Sequence, residues 1–407
     1  MNKLKKITYR IQNISVFFIT SAIFPFMSEK LGDVAFSVGL LALLIRCVKL
    51  HMEPDFLKLK SWWPLIGMLV YIVVLIGVSQ FSSDVRKSSH VAYNYFKYMK
   101  ISFEILILMN GWQSFYRAFF SGLAIGTIGI CFGKDNMIYQ YFHNEMHYQY
   151  DMHRNMIADI FILMIPCTIL YLFHYAKYRI EKILSIILLG LCCFTLYCTE
   201  SRGAVLSLLI LGLVFSLWYC IHQGISKYKI LIGSIIILIT LIIGFAFIPQ
   251  NNHLTNLQDA VKFESTPLES YSERHRIYLY EGTWNMIKEH PVFGVGLDNF
   301  NKEYVAHYMV KNAVEKDLPH AHNFILAILS TTGIIGLIGF FFMEWQFVRF
   351  FFKRRYNINA IIGMFCLLVI LLHDLVDYSL SVYLVCKLYW LILVFCCCAI
   401  SMEEDSH

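Results

Sequence analysis

Residues 322–342, HNFILAILSTTGIIGLIGFFF, start with a histidine and continue as an almost uninterrupted apolar segment. A bilayer has a hydrocarbon core of roughly 30 Å, which a helix of about 20 apolar residues crosses. We therefore predict a transmembrane helix here, and the same criterion identifies eleven further segments. Their approximate spans are 11–28, 33–50, 62–81, 91–110, 112–133, 155–174, 181–199, 203–222, 228–248, 358–377 and 379–401.

The composition of the whole chain agrees with this prediction. Of the 407 residues, 58% are hydrophobic and 15% are charged, against roughly 45–50% and about 25% in soluble domains. One buried core cannot hold that excess, so we expect an all-α polytopic membrane protein with about 12 transmembrane helices. The twelve cysteines lie mostly within apolar runs, which indicates small hydrophobic residues rather than a disulfide framework.

The loops predict how the chain is oriented. Lysine and arginine are concentrated in the short loops on one side, the side that includes the N-terminus. The positive-inside rule then places both termini in the cytoplasm and the long loop 249–321 on the outer side. Three regions follow: helices one to nine in 1–248, the outward loop in 249–321, and helices ten to twelve with a short cytoplasmic tail in 322–407.

The outward loop contains one predicted helix, at about 275–290. Its apolar residues recur at helical spacing on one side, at Ile277, Tyr280, Trp284 and Ile287. Pro291 ends the helix because proline cannot continue the backbone hydrogen bonding. We expect this amphipathic helix to lie on the membrane surface with its aromatic side towards the lipid.

Two motifs with arginine lie on the predicted outer side. Arg202 falls between the seventh and eighth spans, and Arg274-His275-Arg276 begins the loop helix. A guanidinium group can form two parallel hydrogen bonds with a phosphate. Alternatively, Arg202 could snorkel to the interface or pair with Glu200, and the loop motif could be a solvated charge cluster or attract anionic phospholipid. These residues alone leave the alternatives open.

A third motif, Pro319-His320-Ala321-His322-Asn323, leads into the tenth span. In a regular helix with about 100° per residue, Gly333 and Gly336 would fall near the azimuth of His322. The glycines would then permit close helix packing below the histidine and fix its position. A capping histidine and a His-x-His metal site are the alternatives, although no third ligand is evident nearby.

Several ionisable residues fall within or near predicted spans, where a charge is costly and its presence suggests a function. They are Lys97, Lys100, Asp159, His373, Asp374 and Asp377. The last two lie near the outer end of the eleventh span. They could orient a histidine, bind a sugar, or pair with Arg202 or Lys100.

Two absences narrow the possible chemistry. The predicted outer loops contain no paired acidic motif, which disfavours a metal-bridged diphosphate mechanism, so we expect neither a metal nor another cofactor. No predicted cytoplasmic loop is long enough for a nucleotide-binding domain. A donor that is already dissolved in the membrane is therefore favoured, and we expect no nucleic-acid partner.

Together these motifs resemble the bacterial O-antigen ligases, and more broadly the ligase and polymerase superfamily that shares their C-terminal signature. His322-Asn323 followed by Gly333 and Gly336 is similar to the histidine–glycine signature of that family. The segment ending in Arg202 is similar to its arginine between helices. Arg276, with the helix that follows it up to Pro291, Gly294 and Gly296, is similar to its loop arginine. The resemblance covers about residues 185–342.

The resemblance implies a GT-C-like fold and an inner-membrane glycosyltransferase. Its donor would be O-antigen polysaccharide on undecaprenyl diphosphate, and its acceptor a sugar hydroxyl of lipid A–core at the periplasmic face. The transfer would be metal-independent and inverting. Arg202 and Arg276 would stabilise the leaving diphosphate, with Arg274 as a secondary candidate. His322 would be the general base, with His320, Asn323, Asp374 and Asp377 as secondary candidates.

Other functions remain possible at this point. An O-antigen polymerase would use the same donor but add it to another lipid-linked chain. A transporter of lipid-linked glycan would need charged residues along a path through the membrane, for which Lys97, Lys100 and Asp159 are the candidates. A structural partner without activity would leave the outward arginines and histidines unexplained.

Overall fold

The computed structural model describes residues 2–25, 27–132, 138, 141–142, 154–222, 271–311, 313 and 318–405. Within these ranges the chain is helical and contains no strand. Its helices are α1 (Asn2–Ser21), α2 (Glu29–Leu50), α3 (Trp63–Ser79), α4 (Val85–Leu108), α5 (Gln113–Phe132), α6 (Arg154–Leu170), α7 (Arg179–Cys198), α8 (Arg202–His222), α9 (Tyr271–Glu289), α10 (Phe300–Glu303), α11 (Phe324–Lys353), α12 (Ile358–His373) and α13 (Tyr383–Glu404). The π-helical segments Tyr171–Tyr175 and Tyr304–Tyr308 continue α6 and α10.

Six of the described helices are long and apolar enough to cross a membrane. They are α2, α5, α6 with its π-helical extension, α7, α11 and α13, whereas α3, α8 and α12 are apolar but shorter. A multi-pass membrane protein is therefore the appropriate description. The ninth predicted span, 228–248, and the loop residues 249–270 lie outside the described residues, so the count of twelve stays a prediction.

The start of α1 and the end of α13 lie at one end of the bundle, which we call the terminal end. The Tyr9 hydroxyl donates to Asp55 in the α2–α3 connection. In the same connection, Lys60 pairs with Asp405 at 2.6 Å. The two ends of the described chain thus share one side of the bundle.

Helix α13 is the central element of the bundle. From Leu384 to Met402 every side chain is buried, including the consecutive cysteines Cys396, Cys397 and Cys398. Every cysteine that the structure describes has a free thiol. The interpretation of the cysteines as small hydrophobic residues is therefore confirmed for the described part of the chain.

Helix α11 is broken at Gly333, where φ is 64° and ψ is −168°. The turn 291–296 inserts into the break and replaces the lost helical hydrogen bonds. A backbone amide of the turn donates to the Ser330 carbonyl at 2.9 Å, and the Ile334 amide donates to a carbonyl of the turn at 2.9 Å. An unsatisfied backbone group inside a membrane costs several kcal/mol, so the turn and the break depend on each other.

This break overturns the predicted glycine stripe below His322. The stripe assumed a regular helix from residue 322 onwards, but α11 begins at Phe324, and the backbone at Gly333 is not helical. A side chain at Gly333 would collide with the carbonyl of Val292. Further along, Gly339 faces Val74 of α3. The glycines therefore accommodate different neighbours and do not form one surface beneath the histidine.

The loop helix α9 begins four residues before the predicted segment 275–290 and ends at Glu289. Its buried side includes Leu279, Thr283 and Met286, which pack towards α11 and the tyrosines of the segment after α10. Ile277 and Trp284 are 65% and 53% exposed. The predicted apolar side is thus divided, because these two residues remain free to contact lipid while the helix packs through another face.

Candidate active site

The backbone of His322 adopts a conformation that is rare for a residue with a side chain. Its φ is 47°, in the left-handed region, which costs on the order of 1–3 kcal/mol and is typical of functional sites. The His322 amide donates to Nδ1 of His320 at 3.3 Å. Its carbonyl accepts a hydrogen bond from the Tyr280 hydroxyl at 3.1 Å. The strained residue is therefore held from both sides.

The start of α11 is fastened to the turn that follows α12, residues 374–378. Asn323 caps α11, since its Oδ1 accepts from the Leu326 amide at 3.0 Å, while its Nδ2 donates to the Leu375 carbonyl at 2.8 Å. The Phe324 amide donates to the Asp374 carbonyl at 2.9 Å. These contacts bring the start of α11 next to the turn that follows α12, although the two segments are far apart in sequence.

The side chain of His322 pairs with Asp377 in this turn. Nδ1 of the imidazole lies 3.1 Å from Oδ1 of the carboxylate. Asp377 also accepts from Asn155 Nδ2 of α6 at 3.0 Å and from the Tyr378 amide at 2.9 Å. The side chain of Asp377 is 4% exposed, whereas that of His322 is 29% exposed. The carboxylate is therefore enclosed by donors, while the ring remains accessible.

The charge of Asp377 determines which imidazole nitrogen carries the proton. Burial raises the pKa of Asp377, but the hydrogen bond and the charge of His322, together with His320 and the Tyr378 amide, lower it further, and the net pKa is well below the usual range. An ionised carboxylate can only accept hydrogen bonds. Nδ1 of His322 is therefore the donor, and Nε2 of a neutral ring presents a lone pair.

His320, the secondary candidate for the base, lies against His322 but is buried. Its ring is 4.7 Å from the His322 ring, and its exposure is 4%. Burial and the neighbouring His322 lower the pKa of His320 to about 4, against the opposing effect of Asp377. The neutral His320 accepts the His322 amide, so its position suits a supporting residue better than a base.

Asp374, the other acidic candidate, shapes the turn instead of contacting His322. Its Oδ1 accepts from the Ser379 amide at 3.0 Å and from the Ser379 hydroxyl at 2.6 Å. The predicted ion pair with Lys100 does not form, because Lys100 binds Asp33 at 2.5 Å and Glu104 at 3.4 Å. Of the two predicted aspartates, only Asp377 meets the histidine.

Arg276 lies on α9, one helical turn before Tyr280. Because they are four residues apart on one helix, the two side chains lie on the same face. Burial raises the pKa of Tyr280, and the positive charge of Arg276 opposes that rise. Because Tyr280 binds the His322 carbonyl, Arg276 lies near the histidine. Within the described ranges it has no carboxylate partner. The side chain of Arg274 lies outside the described residues.

Arg202 is the first residue of α8, and its side chain is exposed. The predicted alternative, an ion pair with Glu200, does not form, since Glu200 pairs with Arg154 at 3.3 Å. Arg202 has no ion-pair partner in the described part of the chain. The next residue, Gly203, packs closely on His373 and Val376.

These contacts bring three distant segments to one end of the bundle, which we call the site end. The starts of α8 and α11 and the first turns of α6 all contact the residues that end α12 or follow it. Helix α9 reaches the same place through Tyr280. Arg202, Arg276 and His322 therefore belong to one end of the molecule and are not placed on opposite surfaces.

Among the described residues, two groups of side chains at the site end have ligand atoms close enough together to share a metal ion. Ligand atoms of His320, His322 and Asp377 lie within 4.8 Å of one another, and so do those of Asp159, His373 and Asp374. From the sequence, only His320 and His322 were evident as ligands of the first group, because Asp377 lies more than 50 residues further along the chain. In that group Asp377 already accepts a hydrogen bond from His322, the arrangement that a base requires.

Residues 183–341 match the family model described as O-antigen ligase. The predicted resemblance, over about residues 185–342, is thereby confirmed. Members of this family are glycosyltransferase-like enzymes and include both O-antigen ligases and polymerases. No curated protein matches the chain.

The matched region contains Arg202, Arg276 and His322 but ends before Asp377. It also excludes Asn155, which sequence reasoning missed. The only signal for Asn155 was a polar side chain in the first turn of a mostly apolar helix. The structure thus adds two residues to the surroundings of His322 that the family signature does not include.

Proposed function

We propose that the protein is an O-antigen ligase. It would transfer O-antigen polysaccharide from undecaprenyl diphosphate to a sugar hydroxyl of lipid A–core. The observation that carries this proposal is the His322–Asp377 pair, which lies at the same end of the bundle as Arg202 and Arg276. A base and two cations without carboxylate partners among the described residues suit the displacement of a diphosphate by a hydroxyl.

His322 would act as the general base in this reaction. Nδ1–H of His322 donates a hydrogen bond to Asp377 and keeps its proton, so Nε2 can take the proton of the acceptor hydroxyl as its oxygen attacks the anomeric carbon. Such a base contributes roughly 10²–10⁴-fold to a rate. The carboxylate also stabilises the imidazolium that forms. Direct attack on the face opposite the leaving group would invert the anomeric configuration.

Arg202 and Arg276 would stabilise the leaving group. As the bond between the anomeric carbon and the diphosphate oxygen breaks, negative charge grows on that oxygen. A preorganised donor aimed at a developing charge lowers the barrier by about 3 kcal/mol. Arg202 also begins a helix, whose N-terminal amides favour anions. Both guanidinium groups are therefore suited to hold a diphosphate, and neither is neutralised by a described carboxylate.

The membrane arrangement is part of the proposal. We place the chain in the inner membrane with twelve spans and a GT-C-like fold, both termini in the cytoplasm and the site end at the periplasmic face. The shared position of the two described chain ends and the bias of lysine and arginine support this orientation. The donor would approach from the bilayer, so no soluble cofactor is required.

Deleting the gene distinguishes this proposal from the polymerase alternative. Loss of a ligase should leave long polymer on the carrier lipid and bare lipid A–core. Loss of a polymerase should instead leave core that carries a single repeat unit. The second pattern, or unchanged lipopolysaccharide, would contradict ligase activity. Complementation with His322→Ala should fail, while the matched control His307→Ala, at an exposed histidine of the preceding loop, should restore the polymer on the core.

A further inference from the structure

A second imidazole–carboxylate pair lies behind the site. His373 Nδ1 is 2.7 Å from Asp159 Oδ1, at ion-pair distance, although its direction is not that of a regular hydrogen bond. The two side chains are 1% and 0% exposed. Burying such a pair costs desolvation that its attraction often does not recover. Its contribution to stability is therefore a weak explanation for its presence at the end of a membrane helix.

The ring of His373 supports the start of α8. A methyl group at Gly203 would lie 3.1 Å from both Cδ2 and Nε2 of this ring and 3.2 Å from Val376. The first turn of α8 therefore rests directly on the imidazole, and the absence of a side chain at Gly203 makes this possible. Arg202 is the adjacent residue, so the ring position influences where its guanidinium can reach.

Helix α6 connects this support to His322. Asn155 and Asp159 are four residues apart on α6 and therefore lie on one face, about one turn from each other. Asn155 donates to Asp377, which holds His322. Asp159 contacts His373, on which α8 rests. One face of α6 thus contacts both the carboxylate that holds His322 and the ring that supports the helix of Arg202.

We propose that Asp159 and His373 are positioning residues that fix Arg202 relative to His322. The inference rests on the proposed transferase function, in which Arg202 would stabilise the leaving diphosphate and His322 would deprotonate the attacking hydroxyl. Neither positioning residue touches the substrate. Each acts through a neighbour: Asp159 orients the His373 ring, and the ring supports the helix that begins with Arg202.

The first test is a double-mutant cycle in full-length protein reconstituted in lipid. His373→Asn and Asp159→Asn should each lower kcat/KM for glycan transfer by on the order of 10²-fold, because a displacement of about 1 Å has effects of that size. In an Arg202→Ala background either substitution should add less than about threefold, since the residue that they position is gone. Equal losses in both backgrounds would overturn the proposal and indicate a structural role.

The matched control is His174→Asn. His174 also forms an imidazole–carboxylate pair at 2.7 Å, with Glu403, but this pair is partly exposed and lies at the terminal end of the bundle. It should leave kcat/KM unchanged. If His373→Asn does not accumulate in the membrane, Gly203→Ala is the alternative, because it disturbs the same contact without removing the buried pair. It should lower kcat/KM when Arg202 is present but not in the Arg202→Ala background.

Hydrogen exchange gives a readout that does not require activity. His373→Asn should increase amide exchange in residues 202–206, whereas His174→Asn should not. Unchanged exchange there would overturn the positioning role even if the protein is a ligase. Increased exchange in a protein that transfers no glycan would support the positioning geometry and reject the proposed function. If the wild-type protein binds a stoichiometric metal ion that is lost in Asp159→Asn, the positioning role would also be overturned, because Asp159 and His373 would then be metal ligands.

Discussion

Substitutions of Asp377 separate two contributions of this carboxylate to the site: its negative charge and its role as a hydrogen-bond acceptor for His322. Asparagine can keep an oxygen where Oδ1 now accepts from His322 at 3.1 Å and from the Tyr378 amide at 2.9 Å, but it removes the negative charge. Asn155 would have to rotate its amide to meet the new NH₂ group. Alanine removes the acceptor as well, so the imidazole is free to rotate and to exchange its tautomer.

The two substitutions should differ in magnitude. A hydrogen bond to a charged group contributes about 1.5–3 kcal/mol and a neutral one about 0.5–1.5 kcal/mol. Asp377→Asn should therefore raise the barrier by about 1–2 kcal/mol, or about 5–30-fold in kcat. Because the His322 side chain is 29% exposed, solvent screening favours the lower part of that range. Asp377→Ala should remove most of the base contribution, on the order of 10²–10⁴-fold.

The assay is the initial rate of glycan transfer at saturating donor, normalised to the amount of protein in the membrane. Both variants should be combined with His322→Ala, where neither should reduce the rate further. A wild-type rate in Asp377→Ala would refute the assignment of His322 as a base oriented by this carboxylate. Additional losses in the His322→Ala background would show that Asp377 acts independently of the histidine.

Three further predictions follow from the same geometry. Arg202→Lys and Arg276→Lys should each lower kcat/KM by roughly tenfold or more, since lysine cannot bind two oxygens in parallel; normal kinetics in both would reject the diphosphate role. Gly333→Ala should lower the free energy of unfolding by at least about 2 kcal/mol, seen as a reduced melting temperature in detergent, because φ is positive there and a side chain meets Val292. His320 has a folded-state pKa of about 4, below its ordinary value, so its contribution to stability is present above about pH 6.5 and falls with pH towards 4, by on the order of 2 kcal/mol at pH 5. His320→Gln should flatten this part of the pH dependence of the melting temperature, and an unchanged slope would contradict the assignment.

Hydropathy predicted the positions of the helices well, because a long apolar segment in an apolar environment must satisfy its own backbone hydrogen bonds and therefore forms a helix. It was less accurate at the helix ends. The fourth span was predicted at 91–110, but α4 runs from Val85 to Leu108. Its first turn is capped by Asp84, and Ser88 hydrogen-bonds the loop after α9. Polar residues that satisfy tertiary contacts outside the apolar region carry no hydropathy signal.

The break in α11 shows a second limit. The glycines after His322 were assigned to one helix face from regular helical geometry. Whether Gly333 stays helical depends on the turn 291–296, which supplies the replacement hydrogen bonds. That turn lies more than 35 residues away in sequence. A local pattern can show that a glycine permits a positive φ, but only the packed neighbour determines that the chain adopts it.

The candidate site was predicted in part. Local motifs singled out Arg202, Arg276 and His322 because their residue types suit diphosphate and hydroxyl chemistry. Asp377 was only a secondary candidate, since nothing in the sequence distinguishes a partner of His322 from a partner of Arg202. Asn155 was not identified at all. Both depend on how α6 and α12 pack, and a single sequence contains no direct record of such long-range contacts.

Transfer by purified protein in liposomes tests the central assignment most directly. The liposomes would contain undecaprenyl diphosphate-linked O-antigen and lipid A–core, and the product would be followed as core that gains polysaccharide. The wild-type protein should form this product without added metal, whereas His322→Ala should form it at a rate lower by on the order of 10²–10⁴-fold. Equal rates for the two proteins would show that His322 is not the base.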